Sequence, residues 1–359
     1  MREYFGLNLR NVFVPRYIRF SYGTDEWVGQ IVEIIKAEGK ETPFFLFDEI
    51  FEKLREFGPL REKLVGTFPS SRQAVSRTDE MNYSDGLTTA MIEKGSDIVV
   101  AIGGGKCLDM GKYSAFKANL PFISSPTQTS HDGICSPRAV LKLNSSAYSL
   151  AARTPMAIVV DINTIRDSPD RKIRSGIGDL VSNIVAVRDW QLGRDEKGDT
   201  YDNLAAMIST FAAESLFCGG RIEIKDPKFL EKFVHGLIFS GIAMEIAGSS
   251  RPCSGAGHKI SHALDKLGCS AEAAHGEQVA LGALVACVLH GMDWKKMREF
   301  LLQVSLPVKC SDINVTREDF LKALRLSPSI RPERYTILDK LLLDENGYKE
   351  ILEPAHILE

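Results

Sequence analysis

The chain has 359 residues, of which 44% are hydrophobic and 25% charged, and its 44 Lys+Arg stand against 47 Asp+Glu for a net charge of −3. That balance excludes a disordered chain, a fibrous repeat and a small disulfide scaffold, and it offers no basic field for a phosphate backbone, so nucleic acid is not an expected partner. At about 100–200 residues per domain, the length suits two to three domains and a large buried core.

The seven cysteines (Cys107, Cys135, Cys218, Cys253, Cys269, Cys287 and Cys310) are odd in number, scattered, and never form C-x-x-C. They read as free thiols in a reducing cytoplasm. The opening MREYFGLNLRNVFVPRYIRF carries arginines through its apolar positions and lacks a hydrophobic signal core. The longest apolar stretch, Val279 to Leu289, is far shorter than the ~20 residues a membrane-spanning helix needs. A soluble, cytoplasmic protein is expected.

In chain order, the first ~160 residues alternate strand-like and helix-like segments, as a largely parallel sheet covered by helices requires. Phe44–Phe47, Lys63–Thr67, Ile98–Ile102, Pro121–Ser124 and Ala157–Val160 are the predicted strands. Asp25–Ala37, Asp79–Lys94 and Lys106–Ala118 are predicted helices, with apolar residues three and four apart. From Asp167 onward the periodic segments Ile173–Leu192, Tyr201–Phe217, Phe229–Ile246, His258–Leu267, Glu277–Leu289 and Lys295–Gln303 follow one another with no strand between them, and the charged Arg194–Asp202 segment reads as a solvated loop. The predicted fold is a Rossmann-like α/β dinucleotide-binding domain over residues 1–164, with a mostly parallel sheet, followed by an all-α metal- and substrate-binding domain over residues 165–359. The cleft between them is the expected site.

Asp97-Ile-Val-Val-Ala-Ile-Gly-Gly-Gly-Lys106 is a buried strand running into three glycines and a helix. Glycines let a phosphate approach the backbone, and a helix amino terminus offers unpaired N–H groups; the same pattern also makes a plain strand-to-helix turn. Lys106 favours an anionic ligand. The ordinary Rossmann fingerprint is absent, because Leu108 stands where the third glycine belongs. Asp48, ending the Phe44–Phe47 run, is placed either to accept hydrogen bonds from a ribose or to cap the next helix.

Three segments of the second half supply metal-ligand residue types: Ser175-Gly-Ile-Gly-Asp179, Gly257-His258-Lys-Ile-Ser-His262 and Ala274-His275-Gly-Glu-Gln278. His258 and His262 share a helix face, and His275 follows His258 by 17 residues, enough for a second helix to begin opposite. Neutral imidazoles with one carboxylate and an open position are a recurrent catalytic site for zinc or a similar divalent ion, although each histidine alone also suits a helix surface or a satisfied core.

These residues, with S-P-T-x-T-S-H-D-G at 125–133, S-S-R-P-C-S-G-A-G-H at 249–258 and R-P-E-R-Y-T-I-L at 331–338, together resemble the glycerol-1-phosphate dehydrogenases, in order along nearly the whole chain. That family belongs to the superfamily of iron-containing alcohol dehydrogenases, glycerol dehydrogenases and dehydroquinate synthases, whose dehydroquinate synthase-like fold has the two-domain layout read above. The resemblance implies that Asp179, His258 and His275 bind the metal, with zinc favoured over nickel or iron. It implies NAD(H) or NADP(H) along Gly104, Gly105, Lys106 and Asp109, with Thr127, Ser130 and Ser136 beside the nicotinamide half and Asp48 at the adenosine ribose. Asp132 and His262 would face the substrate, the latter as a proton relay whose pKa near working pH suits it. Arg251 and Ser254 are chemical candidates for a substrate phosphate. The family usually has an acidic residue where Gly257 stands, and an alanine where Cys253 stands.

The implied reaction is reduction of the C2 ketone of dihydroxyacetone phosphate, or a related polyol or sugar phosphate, by a homo-oligomer, dimer or larger. Two other readings use the same parts: a sugar-phosphate cyclase of the dehydroquinate-synthase kind, which returns NAD unchanged, and a non-catalytic nucleotide-binding protein. Net cofactor turnover separates the first from a dehydrogenase, and bound metal argues against the second.

Overall fold

The computed structural model describes residues 12–53, 57–144, 146–217 and 220–359. The first eleven residues, which open the segment read above as lacking a signal core, and Cys218 lie outside them. The other six cysteines are free.

Short apolar runs pair into a six-stranded, all-parallel sheet: β1 (Tyr17–Ser21), β2 (Pro43–Asp48), β3 (Arg72–Ser76), β4 (Ile98–Gly103), β5 (Phe122–Pro126) and β8 (Ala157–Asp161), in the order β1-β8-β5-β4-β2-β3. Period-two alternation divides their side chains between two cores. Phe45, Phe47, Val100 and Ile102 pack with Trp27 and Ile31 of α1 (Thr24–Ala37) and Leu60 and Leu64 of α3 (Gly58–Thr67), which follows the short α2 (Ile50–Lys53). Phe44, Leu46, Val99 and Ala101 face the other way, among residues of α4 (Met81–Glu93) and α5 (Gly105–Lys117), in a core that continues into the second half of the chain. An antiparallel hairpin, β6 (Arg138–Leu143) and β7 (Ser146–Ala151), stands apart from the sheet.

Beyond Asp161 all regular elements are helical: α6 (Ile162–Asp167), α7 (Asp170–Val181), α8 (Asn183–Lys197), α9 (Asn203–Glu214), α10 (Pro227–Ala247), α11 (Ala256–Leu267), α12 (His275–Leu289), α13 (Trp294–Gln303), α14 (Arg317–Leu326), α15 (Ile337–Leu341) and α16 (Glu345–Leu352), with short 3₁₀ turns. Among the described residues, no helix is long and apolar enough to cross a membrane.

Several sequence expectations need correction. Lys63–Thr67 is the end of α3 and not a strand, because Leu60 and Leu64, four apart, bury together on one helix face. The edge strands β1 and β3, which are short and carry Arg19, Arg72 and Gln73, lie outside the predicted strands, as does the β6–β7 hairpin. The single helix expected over Ile173–Leu192 is two, divided at Ser182, whose hydroxyl donates to the Asp179 carbonyl at 2.7 Å. The start of the charged Arg194–Asp202 segment is helical, since α8 runs to Lys197 and ends on Gly198 in the left-handed conformation (φ 71°).

Candidate active site

Strand order fixes where a ligand meets the sheet. From β2 the chain passes outward to β3, and from β4 it passes the opposite way to β5, so the carboxyl ends of β2 and β4 flank a topological switch point. Asp48 and Gly103 end these two strands. The Gly104 N–H donates to Asp48 Oδ2 at 3.1 Å and the Ile50 N–H donates to Asp48 Oδ1 at 3.1 Å, so one carboxylate serves both the glycine loop and the following turn. Helix α5 begins at Gly105 with no side-chain cap, which leaves its first N–H groups directed at the crevice. Lys106 projects outward and pairs with Asp79 at 3.3 Å. Thr127 donates its N–H to the Gly103 carbonyl at 3.0 Å, and the Ser130 carbonyl accepts from Ser175 Oγ at 3.1 Å.

Across the crevice three helices bring the ligand residues together through glycine contacts. At Gly176 of α7 a Cβ would meet the Thr129 carbonyl oxygen at 2.0 Å, at Gly178 it would meet the Gly276 carbonyl oxygen at 2.2 Å, and at Gly276 of α12 it would meet the Ser175 carbonyl oxygen at 1.7 Å. The S-G-I-G-D and H-G-E-Q motifs therefore interlock backbone to backbone, which sets Asp179 beside His275. Helix α11 joins through Gly257, where a Cβ would lie 3.0–3.1 Å from the Ala283 nitrogen and Val279 oxygen of α12. A side chain at this position would need α11 and α12 to part by a few tenths of an ångström. Asp189, fully buried on α8, accepts from the Ala256 N–H at 2.6 Å and so fixes the start of α11.

Asp179 Oδ1 lies 3.3 Å from His258 Nε2 and 3.9 Å from His275 Nε2, and one ligand atom from each residue falls within 4.8 Å of the others. The donor set fits a divalent ion. Ser261 donates to Gln278 Oε1 at 2.6 Å, and the Gln278 amide is oriented by Asp265 Oδ1 at 3.0 Å and Ser270 Oγ at 2.6 Å. With its own proton so engaged, Ser261 Oγ is left to accept from His275 Nδ1 at 3.3 Å, which leaves the Nε2 lone pair facing Asp179. The His275 side chain is 40% exposed, yet desolvation of the ring at the cleft lowers it to about 4, aided by the His258 charge and opposed by Asp179. Burial would raise the Asp179 carboxyl, but the His258 hydrogen bond and the charges of His258, His275 and His131 hold it at about 2. A metal requires a carboxylate and imidazole nitrogens free of protons, which the low Asp179 and His275 values favour.

These residues line a cavity of about 370 Å³ between the two halves, together with Asp109, Asp132, Ser136, Ser254 and His262. The Asp132 N–H donates to Asp179 Oδ2 at 3.1 Å, and burial, then the Asp179 charge, pushes the Asp132 carboxyl up to about 8. His262 stacks on His275 at 6.1 Å between centroids, and burial, then the Arg331 charge, lowers it to about 2. The expectation of a pKa near working pH is thus corrected: the imidazole is neutral. Asp109 accepts from the Lys112 ammonium at 3.1 Å and the Val140 N–H at 2.9 Å, and Ser136 Oγ donates to the Arg138 carbonyl at 3.3 Å.

Asp48, Gly104, Gly105, Lys106, Thr127 and Ser130 lie along the glycine-loop edge and not in the cavity wall. Arg251 is directed away, its guanidinium held by Asp199 at 2.6 Å and the Tyr335 carbonyl at 2.9 Å. Sequence reasoning passed over Ser261, Gln278 and Arg331. All three sit inside quoted motifs, so the signal was present, but a serine, an amide and an arginine carry no ligand chemistry until their neighbours are known.

A family model described as iron-containing alcohol dehydrogenase matches residues 29–169. The chain is 35% identical over 335 residues to glycerol-1-phosphate dehydrogenase [NAD(P)+] of Thermococcus sibiricus, covering 91% of this chain and 92% of that one. It is 43% identical over 294 residues to the protein of that name from Thermococcus kodakarensis, covering 79% and 84%. Among solved structures, a probable glycerol dehydrogenase from Sinorhizobium meliloti superposes with a TM-score of 0.77 at 22% identity, over 97% of this chain and 98% of that one. A sulfoacetaldehyde reductase from Bifidobacterium kashiwanohense, in complex with NAD+, gives 0.72 at 18%, over 96% and 98%.

Proposed function

This chain belongs to the glycerol-1-phosphate dehydrogenases, and we propose that it interconverts dihydroxyacetone phosphate and glycerol 1-phosphate with NADH as preferred cofactor and zinc at Asp179, His258 and His275. The observation that carries this reading is the convergence of those three side chains on the wall of a cleft whose opposite edge is the glycine loop at the sheet's switch point. A cyclase reading has no comparable support, since the relatives named above are dehydrogenases.

When bound, the metal supplies Lewis acidity to the substrate's carbonyl oxygen and the nicotinamide supplies the hydride. The chain's own residues do the rest. Asp132, whose carboxyl burial pushes up, hydrogen-bonds a substrate hydroxyl, while Ser240 Oγ, 3.2 Å from Asp132 Oδ2, orients it. His262 is neutral, so it holds a proton on one ring nitrogen and accepts at the other, and it passes protons along this wall without charging first. Asp48, fixed by two backbone N–H groups, presents its carboxylate to the adenosine ribose and disfavours a 2′-phosphate.

The test is spectrophotometric. Zinc-loaded protein with dihydroxyacetone phosphate is expected to consume NADH stoichiometrically with glycerol 1-phosphate formed, and Asp48→Asn is expected to narrow the gap between NADH and NADPH. Absence of net NADH consumption over a screen of triose and polyol phosphates would overturn the assignment.

A further inference from the structure

Among the charged side chains of the cavity wall, most are committed to the protein. Asp109 is matched by Lys112, Asp132 by Ser240, Asp265 by Gln278, and the Arg138 guanidinium by the hydroxyl and carbonyl of Ser149 on the neighbouring strand. Arg331 differs. It lines the same cavity, and no hydrogen bond or ion pair joins its guanidinium to any described residue. Glu333 attracts it without reaching ion-pair distance. In the wall of the same cavity, Ser254 has a buried hydroxyl with no hydrogen-bond partner among the described residues.

Both positions are held deliberately. Arg334, almost wholly buried, donates to the Ser250 hydroxyl at 2.8 Å and to the Ser254 carbonyl, which straps the 331–335 turn onto the 250–254 loop. The Arg334 carbonyl in turn accepts from Lys259 at 3.0 Å, and Lys259 pairs with Asp339 at 2.8 Å. Arg331 itself has a left-handed backbone (φ 50°), a conformation that costs a non-glycine residue free energy and that the strap maintains. Burial lowers the Arg138 guanidinium, and the Arg331 charge lowers it further, so two cations act on each other in this part of the cavity.

We infer that Arg331, with the Ser254 hydroxyl, forms the subsite that takes the phosphate of a phosphorylated polyol or ketose, while the metal residues hold its oxygen-bearing end. The inference rests on the dehydrogenase reading above and deepens it. A planar guanidinium meets two phosphate oxygens at once, and a hydroxyl without a partner gives a third contact. Gly104, Gly105 and Lys106 lie outside this cavity wall, which separates the subsite from the glycine loop. Ser254, already a phosphate candidate on chemical grounds, keeps that role; Arg251, bound to Asp199, gives it up to Arg331.

The experiment compares dihydroxyacetone phosphate with unphosphorylated dihydroxyacetone on zinc-loaded wild type, Arg331→Gln, Arg331→Lys and Ser254→Ala at saturating NADH. Arg331→Gln is expected to lower kcat/KM for the phosphate ester by about 10- to 100-fold. It should lower kcat/KM for the unphosphorylated ketone far less and leave the KM for NADH nearly unchanged, with Arg331→Lys recovering part of the lost selectivity and Ser254→Ala showing a smaller loss of the same selectivity. Equal loss on both ketones, or a raised KM for NADH with phosphate selectivity intact, would overturn the subsite. Calorimetric titration with inorganic phosphate provides a second readout, in which wild type is expected to bind more tightly than Arg331→Gln. Equal binding by the two, or none by wild type, overturns the subsite as well. If wild type fails to reduce dihydroxyacetone phosphate yet binds phosphate in an Arg331-dependent way, the subsite stands and the substrate reading falls.

Discussion

Two histidines one helical turn apart on α11 reach the same cavity but have different surroundings. His258 points Nε2 at the Asp179 carboxylate, and its Nδ1 is buried without a partner. His262 stacks against His275 and has no place in the three-residue ligand cluster. Their replacements should therefore fail differently. His258→Ala is expected to lose metal and activity together, whereas His262→Ala is expected to retain about one equivalent of metal and turn over ~10²–10⁴-fold more slowly, the range typical of a lost proton-transfer group. Metal content by mass spectrometry and single-turnover hydride transfer on both variants would decide. Metal lost from His262→Ala and kept by His258→Ala would exchange the two roles.

Elements meet at this site through missing side chains. Gly276 follows directly after His275, and the space its Cβ would need is occupied by the Ser175 backbone, which no rotamer change can clear. In an open helix, alanine would be favoured over glycine by about 1 kcal/mol. Here Gly276→Ala must part α12 from α7, so a loss of about 1–3 kcal/mol is expected, together with weaker metal binding because Asp179 and His275 lie on the two helices being separated. Calorimetric unfolding and metal titration would check both; an unchanged Tm with unchanged metal affinity would mean the helices yield without cost. The same contact shows what was legible in the sequence. The motifs that hold Asp179 and His275 could be quoted from the string, and the central strands β2, β4, β5 and β8 could be read as apolar runs. Glycine–backbone contact between α7 and α12 has no periodic signature, so the reason for those glycines appears only in three dimensions. Edge strands failed for a related reason: β1 and β3 pair on one side only and tolerate arginine, which erases the apolar run that marks a buried strand. Likewise Arg251 and Arg331 are equivalent as letters, and the ion pair to Asp199 is what separates them.

At the scale of the whole molecule, the sheet half carries the glycine loop and the helical half carries Asp179, His258 and His275, so a metal held by those three would tie α7, α11 and α12 together without touching the sheet. Removing it should then have separable consequences. A ligand that binds only the folded state stabilises it by RT ln(1 + [L]/Kd), roughly 4 kcal/mol at a thousandfold excess over Kd. Prolonged chelation is accordingly expected to lower the Tm by several degrees and abolish turnover, and zinc is expected to restore both. The contacts that shape the glycine loop, Gly104 to Asp48 and Thr127 to Gly103, lie within the sheet half and do not depend on the metal. NADH should therefore still bind the chelated protein, with a Kd changed less than about threefold by the fluorescence of the bound nicotinamide. A fully active preparation holding less than about a tenth of an equivalent of any metal would remove the metal from the reaction. A chelated protein that no longer binds NADH would instead show that the two walls of the cleft act as one unit, which the shared core joining the sheet to the helices would then have to transmit.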